Sequence, residues 1–105
     1  MYVVRGKNAW FKFRRKDNNG DPIVGPAREA YFIVKYSHES REYIFRKSID
    51  DMELDAEGWY HCRIETEDTE NLDFRDYAYD IEVFEDDYTL TISSGTFTVG
   101  AKALM

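Results

Sequence analysis

Tyr77, Tyr79, Ile81 and Val83 occupy every second position of one stretch, with Ala78, Asp80, Glu82 and Phe84 between them. A period of two places each set on one face of an extended strand, and no helix keeps such a pattern on one side. The same alternation recurs along the chain, broken by polar turns at roughly 10-residue intervals, which is the signature of an all-β sandwich or barrel.

The runs fall at Asn8–Arg15, Glu29–Tyr36, Tyr43–Ile49, Gly58–Thr66, Tyr77–Phe84, Tyr88–Ile92 and Thr96–Ala101. They predict about seven strands in a Greek-key, antiparallel sandwich, apart from any closing edge pair, with residues 1–105 forming one domain. Asn19-Gly20, Gly25-Pro26 and Ser93-Ser94-Gly95 read as turns, and the acidic stretch 50–58 as a link holding at most a helical turn. The expected core is Phe11, Phe13, Phe32, Val34, Phe45, Tyr60, Cys62, Ile64, Tyr79, Ile81, Val83, Leu90, Ile92, Phe97 and Val99. In 29–36 and 43–49 both alternate rows carry apolar residues. A one-residue change of register would reverse every side chain there, and the sequence leaves the inward row open.

The loop before Tyr77 has its own logic. Asp68 and Thr69 can accept from nearby backbone N–H groups and turn the chain. Leu72 can plug the end of the sandwich. A tyrosine that opens a strand just after a crossover can return its hydroxyl to the crossover backbone, and Tyr77 is placed to make this tyrosine corner.

Charge is unevenly distributed. Residues 1–47 carry eleven Lys/Arg against five Asp/Glu, and residues 48–105 carry three against sixteen, within a net charge of −7. Opposite-signed blocks fold against each other or meet a partner. Trp10, Lys12, Arg14 and Arg15, with Trp59, form the expected interface group, since outward tryptophans and arginines are favoured anchors. The run Trp10–Lys16 mixes bases with aromatics, as single-strand-binding surfaces do. The acidic whole repels phosphate, however, and nucleic acid is not an expected partner.

Other chemistries find little support. Cys62 and His61 are neighbours on a strand and point to opposite faces, so they make no nucleophile–base pair. His38 falls in a polar turn. A calcium-binding EF-hand loop started at Asp51 would put Ala56 and Cys62 where Gly and Glu are required. A lone cysteine forms no intramolecular disulfide. No enzyme activity, cofactor or metal is expected. The opening MYVVRGKNAW has no apolar stretch or cleavage site of a signal peptide, and no run approaches the ~18 apolar residues of a membrane helix. Synthesis in a host cytoplasm and no membrane partner are the expectations.

Gly58-Trp59-Tyr60, Asp68-Thr69-x-x-Leu72, Tyr77-x-Tyr79-Asp80-Ile81, Tyr88-Thr89-Leu90 and Gly95-x-Phe97-x-Val99 together resemble a small immunoglobulin-like domain encoded by phages and prophages. More distantly, they are similar to the N-terminal β-sandwich of phage baseplate upper proteins. The likeness is best over residues 58–99. Arg75 stands where such domains commonly have a glycine, two residues before the first tyrosine. The resemblance implies a non-enzymatic structural or assembly module of a virion, associated with tail or baseplate, touching other virion proteins or itself. A carbohydrate-binding or adhesion sandwich is the alternative, because exposed Trp and Tyr also serve as sugar platforms.

Overall fold

The structure is a computed structural model, and it describes residues 1–101. Eight strands run in chain order: β1 (Tyr2–Val4), β2 (Ala9–Arg14), β3 (Glu29–Lys35), β4 (Phe45–Ser48), β5 (Met52–Leu54), β6 (Trp59–Ile64), β7 (Arg75–Phe84) and β8 (Thr89–Gly100). A 3-10 turn, Ile49–Asp51, precedes β5, and a single helical turn, α1 (Thr66–Thr69), follows β6. No helix among the described residues is long and apolar enough to cross a membrane.

The strands form two sheets, a five-stranded one ordered β1-β8-β7-β3-β4 and a three-stranded one ordered β2-β6-β5. The result is an all-β sandwich, and its strand order corresponds to the B–E–D and C–F–G sheets of an immunoglobulin-like domain. All pairings are antiparallel except β1 with β8, which is parallel.

The strand count differs from the expected seven for three reasons. β1 and β5 are three-residue strands, too short to show a period. The two closing runs fuse into the continuous β8, because Ser93-Ser94-Gly95 is not a turn. Gly95 lies opposite Tyr79 in the β7–β8 ladder, and a Cβ on it would sit 3.2 Å from the tyrosine ring. The glycine is there for close approach of an aromatic ring.

The core lies between the sheets. Phe13, Tyr60, Cys62 and Ile64 from one sheet meet Phe32, Val34, Ile81, Val83, Phe97 and Val99 from the other, all buried. Phe32 sits at the centre, with the rings of Phe11, Phe45, Tyr79 and Phe97 at 4.5–6.1 Å. Phe11, Phe45, Tyr79 and Ile92 are only partly buried at its rim, while Val3, Ala27, Ala30, Met52 and Tyr77 join the interior. The open register is resolved: Ala30, Phe32 and Val34 face inward. Opposite Val34 and Phe32 come Phe45 and Lys47, so Lys47 enters the sandwich end and reaches Asp68 Oδ2 at 2.6 Å.

Leu90 is a correction. It was expected in the core and is 36% exposed. It faces the same way as buried Val83, its β7 partner, but it lies on the outermost strand where β1 does not reach. An inward row is buried only where the second sheet covers it.

At the β6–β7 crossover, the Tyr77 hydroxyl donates to the Asp73 carbonyl oxygen at 3.1 Å, the geometry of a tyrosine corner. Asp68 Oδ2 accepts from Glu65 N–H at 2.7 Å and caps α1. Thr69 is wholly buried, and its Oγ1 accepts from Gly6 N–H at 3.0 Å, tying the crossover to the loop after β1. Leu72 packs, partly buried, against the core.

Candidate functional site

The outer face of the three-stranded sheet gathers charged side chains and the more exposed of the two tryptophans. The ladder fixes which side chains meet. Trp10 stands opposite Arg63, Lys12 opposite His61 and Arg14 opposite Trp59, while Glu53 on β5 stands opposite His61 from the other side. Residues opposite one another in a ladder share a face. Their inward neighbours Phe13, Tyr60, Cys62 and Met52 are buried, so this row points out.

Cations and indoles interleave on that face. Trp59 lies under both Lys12 Nζ at 4.6 Å and the Arg14 guanidinium at 4.4 Å. The Arg63 guanidinium lies 5.5 Å from the Trp10 ring. Each such contact contributes about 0.5–1 kcal/mol at an exposed site, enough to hold the side chains flat. Trp10 nevertheless stays 63% exposed. Arg14 also donates to the Glu57 carbonyl oxygen at 2.9 Å.

Across the strands the charge changes sign. β2 contributes Lys12 and Arg14, β6 the central Trp59, His61 and Arg63, and β5 with its following turn Glu53 and Asp55. Asp55 is locked in place. Its Oδ1 accepts from the N–H groups of Glu57 and Trp59 at 2.9 and 3.0 Å, and its Oδ2 lies 2.8 Å from His61 Nε2. The His61 hydrogen bond, then the one from Trp59 N–H, holds this carboxyl down at about 2. The turn closes through Gly58, at φ +91°, where a Cβ would come within 2.5 Å of the Ile23 carbonyl oxygen. Among the described residues, Lys12, Arg14 and Glu53 form no ion pair within the chain.

One member of the expected interface group is not on this face. Arg15 is 1% exposed. Its Nη1 reaches Glu85 Oε1 at 2.7 Å, its Nη2 donates to the Gly25 carbonyl oxygen, and its guanidinium faces the Tyr60 ring. It joins the end of β2 to the β7–β8 turn and is structural. Alternation carried the signal: Arg15 shares the odd-numbered row of Phe11 and Phe13. Arg63 was not in the expected interface group, although the parity of 59–65 already turned it outward, and Glu53 and Asp55 lie in the acidic stretch 50–58 that reads as a link in the sequence.

The remaining reactive groups are engaged or dispersed. Cys62 is fully buried, and desolvation pushes its thiol up to about 12. The His38 side chain is half exposed, with its Nδ1 3.8 Å from Asp80 Oδ1. No group of three or more His, Cys, Asp or Glu suited to a metal ion occurs among the described residues. A shallow hollow of about 630 Å³ lies beside the β3–β4 loop, lined by Tyr36, Ser40, Arg41, Glu42, Tyr43 and Ile44. No protein-family model, curated protein or solved structure matches the chain.

Proposed function

We propose that this protein is a non-enzymatic structural and assembly module, made in a host cytoplasm and acting by protein–protein contact in a phage or prophage virion, associated with tail or baseplate. The contact surface is the outer face of the β2-β6-β5 sheet. One observation carries the reading: Trp10, 63% exposed, shares a face with Lys12 and Arg14, whose charges meet no carboxylate among the described residues. Aromatic and arginine side chains held flat on a rigid sheet are the anchors that interfaces use. The virion context comes from the resemblance over residues 58–99.

The test is to purify particles from a host carrying the phage or prophage and quantify this chain by mass spectrometry. A fixed copy number per particle, lost for a folded Trp10→Ala variant, is the expected result. Absence from particles contradicts the virion role, and undiminished incorporation of Trp10→Ala contradicts the role of the face.

The hollow at Tyr36 and Tyr43 favours a second reading, sugar binding. Both tyrosines are more than half exposed and stand among polar groups of Ser40, Arg41 and Glu42. Titration with soluble glycans, read by chemical shifts of these tyrosines, distinguishes it. Saturable shifts confined to the hollow support the sugar reading, and their absence removes it.

A further inference from the structure

We propose that the outer face of the β2-β6-β5 sheet pairs with the same face of a second copy of this chain, about a two-fold axis running parallel to β6. The proposal rests on the reading of this face as a protein-contact surface and names its partner.

The argument is one of charge and symmetry. The face is basic along β2 and acidic along β5, with Trp59, His61 and Arg63 between. A face-to-face pair of identical sheets has its two-fold axis in the plane between them. If that axis crossed the strands, β2 would lie over the partner's β2, and Lys12 and Arg14 would meet the partner's same two cations. If it runs along β6, β2 lies over the partner's β5. Lys12 then stands over the partner's Glu53, Arg14 stands near the partner's Asp55, and the Trp59 rings approach across the axis. The second arrangement turns the clash of the β2 cations into four opposite-charge contacts, since each is repeated by symmetry, and Arg63, which then nears its own copy, has Glu65 Oε2 at 3.4 Å from its Nε.

The groups that need a partner are those that lack one. Lys12 and Glu53 are both exposed, and they lie on opposite sides of His61, across the width of one strand. They make no ion pair with each other or with any described residue. The chain carries a net charge of −7, so two copies repel at long range unless a local pattern overcomes this. A bipolar face supplies such a pattern. Three strands about 4.8 Å apart, two of six residues and one of three, make a platform of at most roughly 14 by 20 Å. An interface that small is weak and concentration-dependent, and it loosens as salt screens its charges.

Charge-swapped chains test the arrangement by sedimentation velocity at low salt. Lys12→Glu sets a carboxylate over the partner's Glu53, and Glu53→Lys sets an ammonium over the partner's Lys12. Each variant alone is expected to weaken the dimer by at least about tenfold relative to the parent. An equimolar mixture of the two is expected to recover it as a heterodimer, and the Lys12→Glu/Glu53→Lys double variant to recover it as a homodimer. Circular dichroism and thermal midpoints verify that each variant is folded, and either single variant suffices to read the contact.

A parent chain that is monomeric at every concentration overturns the proposal. The face then remains a contact surface for another protein if folded Trp10→Ala still fails to enter particles. A parent dimer unmoved by both single variants overturns the proposal too, because it places the dimer contact elsewhere. Weakening by both variants without recovery in the mixture rejects the axis along β6.

Discussion

Arg14 and Arg15 are adjacent in the chain and have opposite fates. Arg15 lies inside, held by Glu85 and the Gly25 carbonyl at one end of the sandwich. Arg14 lies outside, flat on Trp59, with no carboxylate partner among the described residues. The first region uses charge to fasten two sheets together, and the second leaves charge available. Strand alternation alone separates them, and on the proposed reading that separation divides structural residues from those left for contact.

The largest effect should come from the inner region. Glu85→Ala leaves the Arg15 guanidinium buried without its counter-ion, and such breakage costs about 3–5 kcal/mol. Urea unfolding of this variant would measure it. A loss comparable to a surface substitution would show that Arg15 simply moves out to water. Next comes Tyr77→Phe, at the crossover near the other end of β7. It removes the donor to Asp73 and should cost about 1 kcal/mol, seen as a lower denaturant midpoint with an unchanged slope. An unchanged midpoint would demote the corner to a coincidence of geometry.

Arg14→Gln should be milder, about 0.5–1 kcal/mol for one stacking contact, while weakening association. If it destabilised the fold as strongly as Glu85→Ala, the division between the two arginines would fail. The smallest effect is at Asp55. Its carboxyl is held below its ordinary value of 3.8, at about 2, so its contribution is present above pH 3.8 and is lost as the pH falls through 2. The thermal-midpoint gap between the parent and Asp55→Asn should therefore close across that window. A gap that persists at the acid end would mean that the turn depends on the carboxyl's shape and not its charge.

Much of this was legible. Where one alternate row is apolar and the other charged, as in 59–64, the pleat decides which side faces in, and Tyr60, Cys62 and Ile64 are buried as their positions require. What the sequence withheld were properties of two strands at once. The partner of Arg15 lies 70 residues away. The contact of Thr69 with Gly6 spans 63. Gly95 looked like a turn because the ring beside it belongs to another strand. The site divides the same way. Trp10, Lys12, Arg14 and Trp59 could be read as outward from their own strands. The change of sign towards β5 depended on a three-residue strand with no period to reveal it.

The most direct test of the account is the solution mass by light scattering after gel filtration, over a range of concentrations at low and at high salt. A mass that rises at low salt from the 12.4 kDa of one chain towards twice that value, and falls back at high salt, is the predicted result. A mass of one chain at every concentration and salt would contradict it, and the unpaired charges of the outer face would then have no part in self-association.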